Sequence, residues 1–201
     1  STGPCPVQRD TIVLEVTPAP IVNANANQTV CANNAIVNLN GSVTGGARKG
    51  KWTTLGSGSF SPNDSTLSAS YIPSFADTAA GTVTLVLTST DGGSCANESD
   101  TMIVSITNAP IVDVIGTTVS ICKNNSTVSI VGTVTGSSST GKWTTSGNGI
   151  FSPNNLSLSA TYQPTNSDLL SGSIYLYLES TSNGNCSKAK DSLQTSIKIT
   201  W

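Results

Sequence analysis

Histidine is absent from these 201 residues, and methionine occurs once. Without an imidazole there is no Ser-His or Cys-His pair to activate a nucleophile, and the commonest transition-metal ligand is missing. Charge is scarce too: Asp, Glu, Lys and Arg make up 10% of the chain, against about 25% in an ordinary soluble domain. The net charge is −2 with no run of one sign, so nothing draws the chain to nucleic acid or to an anionic membrane surface. No apolar run approaches the ~20 residues that span a bilayer, which argues against membrane insertion. The 11 acidic residues are scattered, so paired carboxylates for acid–base catalysis find no support. The reading is a non-catalytic protein without a cofactor. Ca²⁺ near the repeat joints is a minor alternative, because no dense Asp-x-Asp-x-Asn loop is present.

What the chain does have is a repeat. Gly50-Lys51-Trp52-Thr53-Thr54, with Gly56, Gly58, Phe60, Ser61, Pro62 and Asn63, returns as Gly141-Lys142-Trp143-Thr144-Thr145, with Gly147, Gly149, Phe151, Ser152, Pro153 and Asn154. The offset is 91 residues (143 − 52) and holds across the motif. A long string returning at one offset marks a tandem array, each unit being one structural module.

Five cysteines follow the same ruler. Cys31 to Cys95 and Cys122 to Cys186 are both 64 residues apart (95 − 31 and 186 − 122). Equal spacing predicts one disulfide within each repeat, formed in an oxidising compartment. Buried free thiols are the alternative; metal binding is disfavoured by the absence of Cys-x-x-Cys. Residues 1–17 align 90 positions ahead: Cys5, Asp10, Ile12, Leu14 and Val16 match Cys95, Asp100, Met102, Val104 and Ile106. They read as the C-terminal strand of a preceding repeat, with Cys5 expected to pair with a cysteine outside this sequence. Repeats then occupy 18–108 and 109–201, joined at short proline-containing links that hold neighbours semi-rigidly. No signal-peptide pattern opens the chain, as expected of a mature or excised segment.

Within each repeat the apolar period is two. Val37, Leu39 and Val43 alternate with polar residues, as do Leu67, Ala69 and Tyr71, then Val83, Leu85 and Leu87, then Met102, Val104 and Ile106. Adding one first strand over 21–30 predicts about seven strands per repeat, packed as two antiparallel sheets. Residues 74–81 carry a Ser cap, helix formers and a closing Gly, and 165–172 match them, predicting one short helical turn between the sheets. Ile21 to Cys31 is one residue shorter than Ile111 to Cys122, predicting a bulge or longer turn in the later first strand.

Taken together, the Gly-Lys-Trp-Thr-Thr-x-Gly-x-Gly-x-Phe-Ser-Pro string, Tyr-x-Pro-x-x-x-Asp, Gly-x-Cys and Asp-Thr resemble the PKD-like, immunoglobulin-like tandem repeats of large Bacteroidetes cell-surface adhesins, including gliding-motility adhesins of the SprB type. The resemblance implies an all-β tandem sandwich in a modular extracellular stalk. The chain departs from true PKD domains, since Trp-Asp-Phe-Gly-Asp-Gly is replaced by Trp-Thr-Thr-x-Gly-x-Gly. It also departs from antibody domains, because its cysteines lie away from the tryptophan and predict a staple at one end of the sandwich.

Several residues attract a functional reading. Trp52 and Trp143 read as core pins rather than sugar platforms. Thr11, Thr101 and Ser192 follow Asp10, Asp100 and Asp191, a pattern resembling Bacteroidetes O-glycosylation acceptors. Tyr175 and Tyr177 replace Thr84 and Val86 on an outward strand face and form the candidate contact surface. The function expected is a structural stalk segment at the cell surface, serving adhesion or gliding, its partners being neighbouring repeats and possible surface polysaccharide or glycans. The alternatives are a filament subunit assembling by strand complementation through residues 10–16, or a carbohydrate-binding module.

Overall fold

The structure, a computed structural model, describes residue 3 and residues 8–116, 118–122 and 127–198. Two hydrophobic cores form along the chain, one from Ala24 to Ile106 and one from Val114 to Leu193.

The first core is enclosed by β1 (Pro20–Asn23), β2 (Gln28–Cys31), β3 (Val37–Asn38), β4 (Ser42–Gly45), β5 (Gly50–Thr54), β6 (Ser59–Ser61), β7 (Ser70–Ile72), α1 (Phe75–Ala80), β8 (Thr82–Ser89) and β9 (Ser99–Thr107). One sheet runs β2-β9-β8-β5, with β2 parallel to β9 and the rest antiparallel. The facing layer consists of β3-β7-β6 and β1-β4. The amides of Leu39 and Gly41 donate to the Ala69 and Leu67 carbonyls, so the ladder continues between β3 and β4. The alternation in β8 sends Val83, Leu85 and Leu87 inward, as a strand with one buried face requires.

The second core lies between β10-β12-β15-β14 and β11-β17-β16-β13. These are β10 (Ile111–Val114), β11 (Thr118–Cys122), β12 (Val128–Thr135), β13 (Thr140–Thr145), β14 (Ile150–Ser152), β15 (Ser159–Gln163), β16 (Ser173–Thr181) and β17 (Lys190–Lys198), with α2 (Asn166–Ser171) before β16. Registers repeat: Trp52 pairs with Leu87 in the first sandwich, and Trp143 with Leu178 in the second. Both short helices open on a capping box, Ser74 with Asp77 and Thr165 with Asp168. Each satisfies orphan amides of the first turn. Both close on a left-handed glycine, Gly81 or Gly172, and carry the chain from one sheet to the other.

The single first strand predicted over 21–30 is two strands in two different sheets. The Ala24 amide donates to the Asp100 carboxylate at 2.8 Å, and the Ile103 amide donates to Asn27 Oδ1 at 2.8 Å. Side chains thus end one pairing and begin the next, with Asn25 turning through positive φ between them. Val114 donates to Asp191 in the same way at 2.7 Å. Asp100 and Asp191 thus hold the first strand of each sandwich from across it. The extra residue of the second repeat falls in this link. Ile21 and Ile111 pair with Thr44 and Thr135, while Cys31 and Cys122 pair with Thr107 and Lys198.

Residues 8–19 belong to no strand, and Ile12, Val13, Leu14 and Val16 are exposed. The pairing partner expected for this segment is absent among the described residues. Cys5 lies outside them.

Candidate functional site: the joint between the sandwiches

The disulfide pairing predicted from equal spacing is overturned. Cys31 is bonded to Cys186, 155 residues away and in the other sandwich, while Cys95 is free. Strand direction explains why. Cys31 ends β2 opposite Thr107, the last residue of β9, whereas Cys95 lies ahead of Ser99, the first. The length of β9 separates them, roughly 26 Å at about 3.3 Å per residue, and a disulfide needs Cα atoms within about 7 Å. The second sandwich repeats this arrangement: the backbone of Cys122 pairs opposite Lys198 and Cys186 precedes Lys190. The cysteines therefore sit at opposite ends of each sandwich. The bridge joins two modules rather than stapling one end of a single module.

Around the bridge the joint is polar. Asn33 Nδ2 donates to the Ser187 carbonyl at 3.0 Å and its Oδ1 accepts from the Ser187 amide at 3.1 Å. The Asn185 side chain donates to the Thr29 carbonyl at 3.3 Å. Cys186 Sγ lies 3.6 Å from the Asn108 carbonyl and 3.7 Å from the Thr107 hydroxyl. Beside these contacts an open cleft of about 670 Å³ separates Ala80 and Gly81 from Gly136 and Asn183. Such a joint is covalently tied, and the side-chain hydrogen bonds that cross it are exposed.

Trp52 and Trp143 are fully buried. Each indole donates to a backbone carbonyl, of Leu67 at 3.3 Å or Ser157 at 3.0 Å. The glycines of the motif serve a hydrogen-bond network separate from the tryptophan pins. Tyr71 donates to Asp77 Oδ2 at 2.7 Å, the Ser74 and Ser57 amides donate to the same carboxylate, and the Gly58 amide donates to Tyr71 Oη at 3.0 Å. A Cβ on Gly58 would meet the Ile72 carbonyl and Tyr71 Oη at 2.4 and 2.5 Å. Tyr162, Asp168, Thr165, Asn148 and Gly149 repeat the arrangement. Burial alone would raise the Asp77 carboxyl, but the amides of Ser74 and Ser57 and the tyrosine hydroxyl hold it below the ordinary aspartate range. Asp168 behaves alike, its amide donors being Thr165 and Asn148. Burial, opposed in part by the Thr54 hydroxyl and reinforced by Asp77, pushes the Tyr71 phenol up. The Tyr-x-Pro-x-x-x-Asp spacing was the available signal. These buried acids are occupied by structural bonds and are not a reactive pair.

On the outer face of β16, Tyr175 and Tyr177 stack with centroids 6.1 Å apart, and Lys190 Nζ lies 3.8 Å from the Tyr177 ring centre. Tyr175 is 41% exposed. Thr11, Thr101 and Ser192 are exposed, and Ser192 pairs opposite Tyr177. Among the described residues, no three acidic, His or Cys side chains gather as a metal site.

No protein-family model matches the chain, and no curated protein matches it in sequence. Among solved structures, the insect immune protein hemolin is similar with a TM-score of 0.48 and 10% identity, over 91% of this chain and 47% of its own. Immunoglobulin domains 1–4 of Sidekick-1 give 0.45 and 16%, over 92% of this chain and 50% of theirs. Drosophila N-cadherin EC1–4 gives 0.46 and 12%, over 90% and 50%. This chain thus spans about half the length of each. By its own sheets and registers, it folds as tandem immunoglobulin-like β-sandwiches.

Proposed function

We propose that the chain is a load-bearing segment of an extracellular stalk, its sandwiches (18–108 and 109–201, after residues 1–17) arranged in series and locked at the joint. The observation that carries this reading is the Cys31–Cys186 bridge between sandwiches. A disulfide inside one sandwich would stabilise that module; one across the joint restricts how two modules swing. It also calls for an oxidising compartment. In this reading the stalk belongs to a cell-surface adhesin, non-catalytic, with contacts made through neighbouring repeats. Tyr175 and Tyr177 are the candidate surface for a partner or a glycan, and Thr11, Thr101 and Ser192 are candidate glycan acceptors. Protein from the native host whose intact mass equals that of the bare polypeptide would remove the acceptor assignment.

The test compares the oxidised chain with the Cys31→Ser/Cys186→Ser variant by small-angle X-ray scattering. The variant is expected to show a broader range of end-to-end distances with both sandwiches still folded. Identical profiles would defeat the stiffening role.

A second reading is supported by the exposed apolar residues of 8–17. A segment of this kind, paired with no strand among the described residues, would complete a sheet edge in a second molecule, giving a filament. Concentration-dependent assembly that is lost on deleting residues 1–17 would favour it.

A further inference from the structure

We propose that Cys95 is the open half of a second inter-sandwich disulfide, which takes the strand-end cysteine of another repeat as Cys186 takes Cys31. This inference rests on the serial-stalk reading and extends it: the array is covalently stitched at each joint, with each sandwich bonded at both ends.

The argument comes from the bonded counterpart in the same molecule. Cys186 lies in the β16–β17 loop, and Cys95 lies in the β8–β9 loop 91 residues earlier (186 − 95). The two loops have one backbone geometry. The Cys186 amide donates to the Asn183 carbonyl at 3.0 Å, and the Cys95 amide donates to the Gly92 carbonyl at 3.0 Å. Gly184 and Gly93 turn at φ 58° and 60°. Each sulfur is aimed at the incoming chain: Cys186 Sγ is 3.6 Å from the Asn108 carbonyl, and Cys95 Sγ is 3.8 Å from the Pro18 carbonyl. Pro18 holds the joint position 90 residues before Asn108 (108 − 18). At the later joint this placement puts the sulfur against a cysteine of the preceding sandwich. At the earlier joint the same placement is present, with the thiol half-buried and unbonded.

The partner is defined by chemistry and place: a cysteine ending a β2-type strand, followed two residues later by an Asn that can clasp the amide after the loop cysteine, as Asn33 clasps Ser187. Ala96 has that amide in the earlier loop. Bond formation removes two electrons and two protons from the two thiols. A dithiol oxidase or a small-molecule disulfide takes them up and leaves as thiol. Such a cysteine can come from a repeat ahead in the same chain. It can also come from a second copy, whose Cys122 holds in β11 the register that Cys31 holds in β2.

The test uses the 201-residue chain and a longer chain in which residues 1–108, carrying Cys95→Ser in that added copy, are followed by residues 18–201. Both are oxidised with glutathione disulfide, alkylated without reduction and mapped as peptides. In the 201-residue chain, Cys95 should take the alkyl group while Cys31–Cys186 is recovered intact. In the longer chain, Cys95 should lose the adduct and be recovered bonded to the added copy of Cys31. Disulfide-linked oligomers of the 201-residue chain joined Cys95–Cys122 would place the same bond between copies. Cys95 remaining alkylated in the longer chain, with Cys31–Cys186 intact, would overturn this proposal alone. Loss of Cys31–Cys186 itself would remove the locked-stalk reading beneath it.

Discussion

The two sandwiches are nearly the same object in the core and different objects on the outside. Trp52 and Trp143, the Tyr71–Asp77 and Tyr162–Asp168 pairs, and the capped helical turns superpose in role and register. The differences are peripheral. Lys51 pairs with Asp64 at 3.2 Å in the first sandwich, and the second has Asn155 where Asp64 stands. Outward Thr84 and Val86 become the stacked Tyr175 and Tyr177. The loop cysteine is free in one sandwich and bonded in the other. A repeat keeps what every copy needs in order to fold and varies what each copy shows to its surroundings.

Removing a core pin should break the likeness most. Trp52→Ala is expected to destabilise the first sandwich by about 3–5 kcal/mol and to split denaturant unfolding into two transitions, the second sandwich keeping its midpoint. Trp143→Ala should give the mirror result. A single cooperative transition in both variants would show that the modules do not unfold independently.

Next is the buried carboxylate. Asp77→Ala leaves the Tyr71 hydroxyl and two amides without an acceptor and should cost about 3 kcal/mol, as should Asp168→Ala in its own sandwich. The pH dependence follows from the lowered acid. Its contribution is fully present above the unfolded aspartate value of about 3.9 and is lost as pH falls through the lower folded value. Tyr71 is raised, so its contribution is present below the unfolded tyrosine value of about 10 and lost as pH rises through the folded one. Urea titrations across the acid and alkaline limbs should show both losses in wild type. The acid loss from the first sandwich should shrink in Asp77→Ala, leaving the part due to Asp91, whose carboxyl the Lys49 and Arg48 amides also lower.

Gly58→Ala and Gly149→Ala press a methyl onto a carbonyl and the tyrosine hydroxyl, at an expected cost of about 1–3 kcal/mol. Equal losses, read from the two midpoints, would confirm that the motif does the same work in each copy.

Converting the second face to the first, Tyr175→Thr with Tyr177→Val, should shift stability by about 1 kcal/mol or less. If the face is a contact surface, self-association or ligand adhesion should fall while the midpoint barely moves; unchanged adhesion would assign the pair to local packing. The smallest effect belongs to Asp64→Asn, which gives the first sandwich the second one's residue. Its hydrogen bond from Lys51 lowers the Asp64 carboxyl, yet the pair is solvent-exposed and screened by salt, so no resolvable midpoint shift is expected.

Much of this was legible in the residues because it is local. Alternation in Val83-Thr84-Leu85-Val86-Leu87 specifies which face is buried, and Ser74 with Asp77 and Gly81 specifies where one helical turn starts and stops. The 91-residue offset carried those readings from one sandwich to the other. The switch between sheets at Ala24 to Asn27 was hidden, since it depends on the carboxylate of Asp100 and the amide of Ile103, both 76 residues away. The fold class, the inward tryptophans and the helical turn were therefore properties of the chain by itself. The bridge was not. A spacing of 64 residues and one of 155 differ by a single repeat (155 − 64), so a periodic sequence cannot choose between a bond inside one module and a bond to the next. The tertiary structure chose, because β2 runs parallel to β9 and leaves Cys31 and Cys95 at opposite ends of the same sandwich.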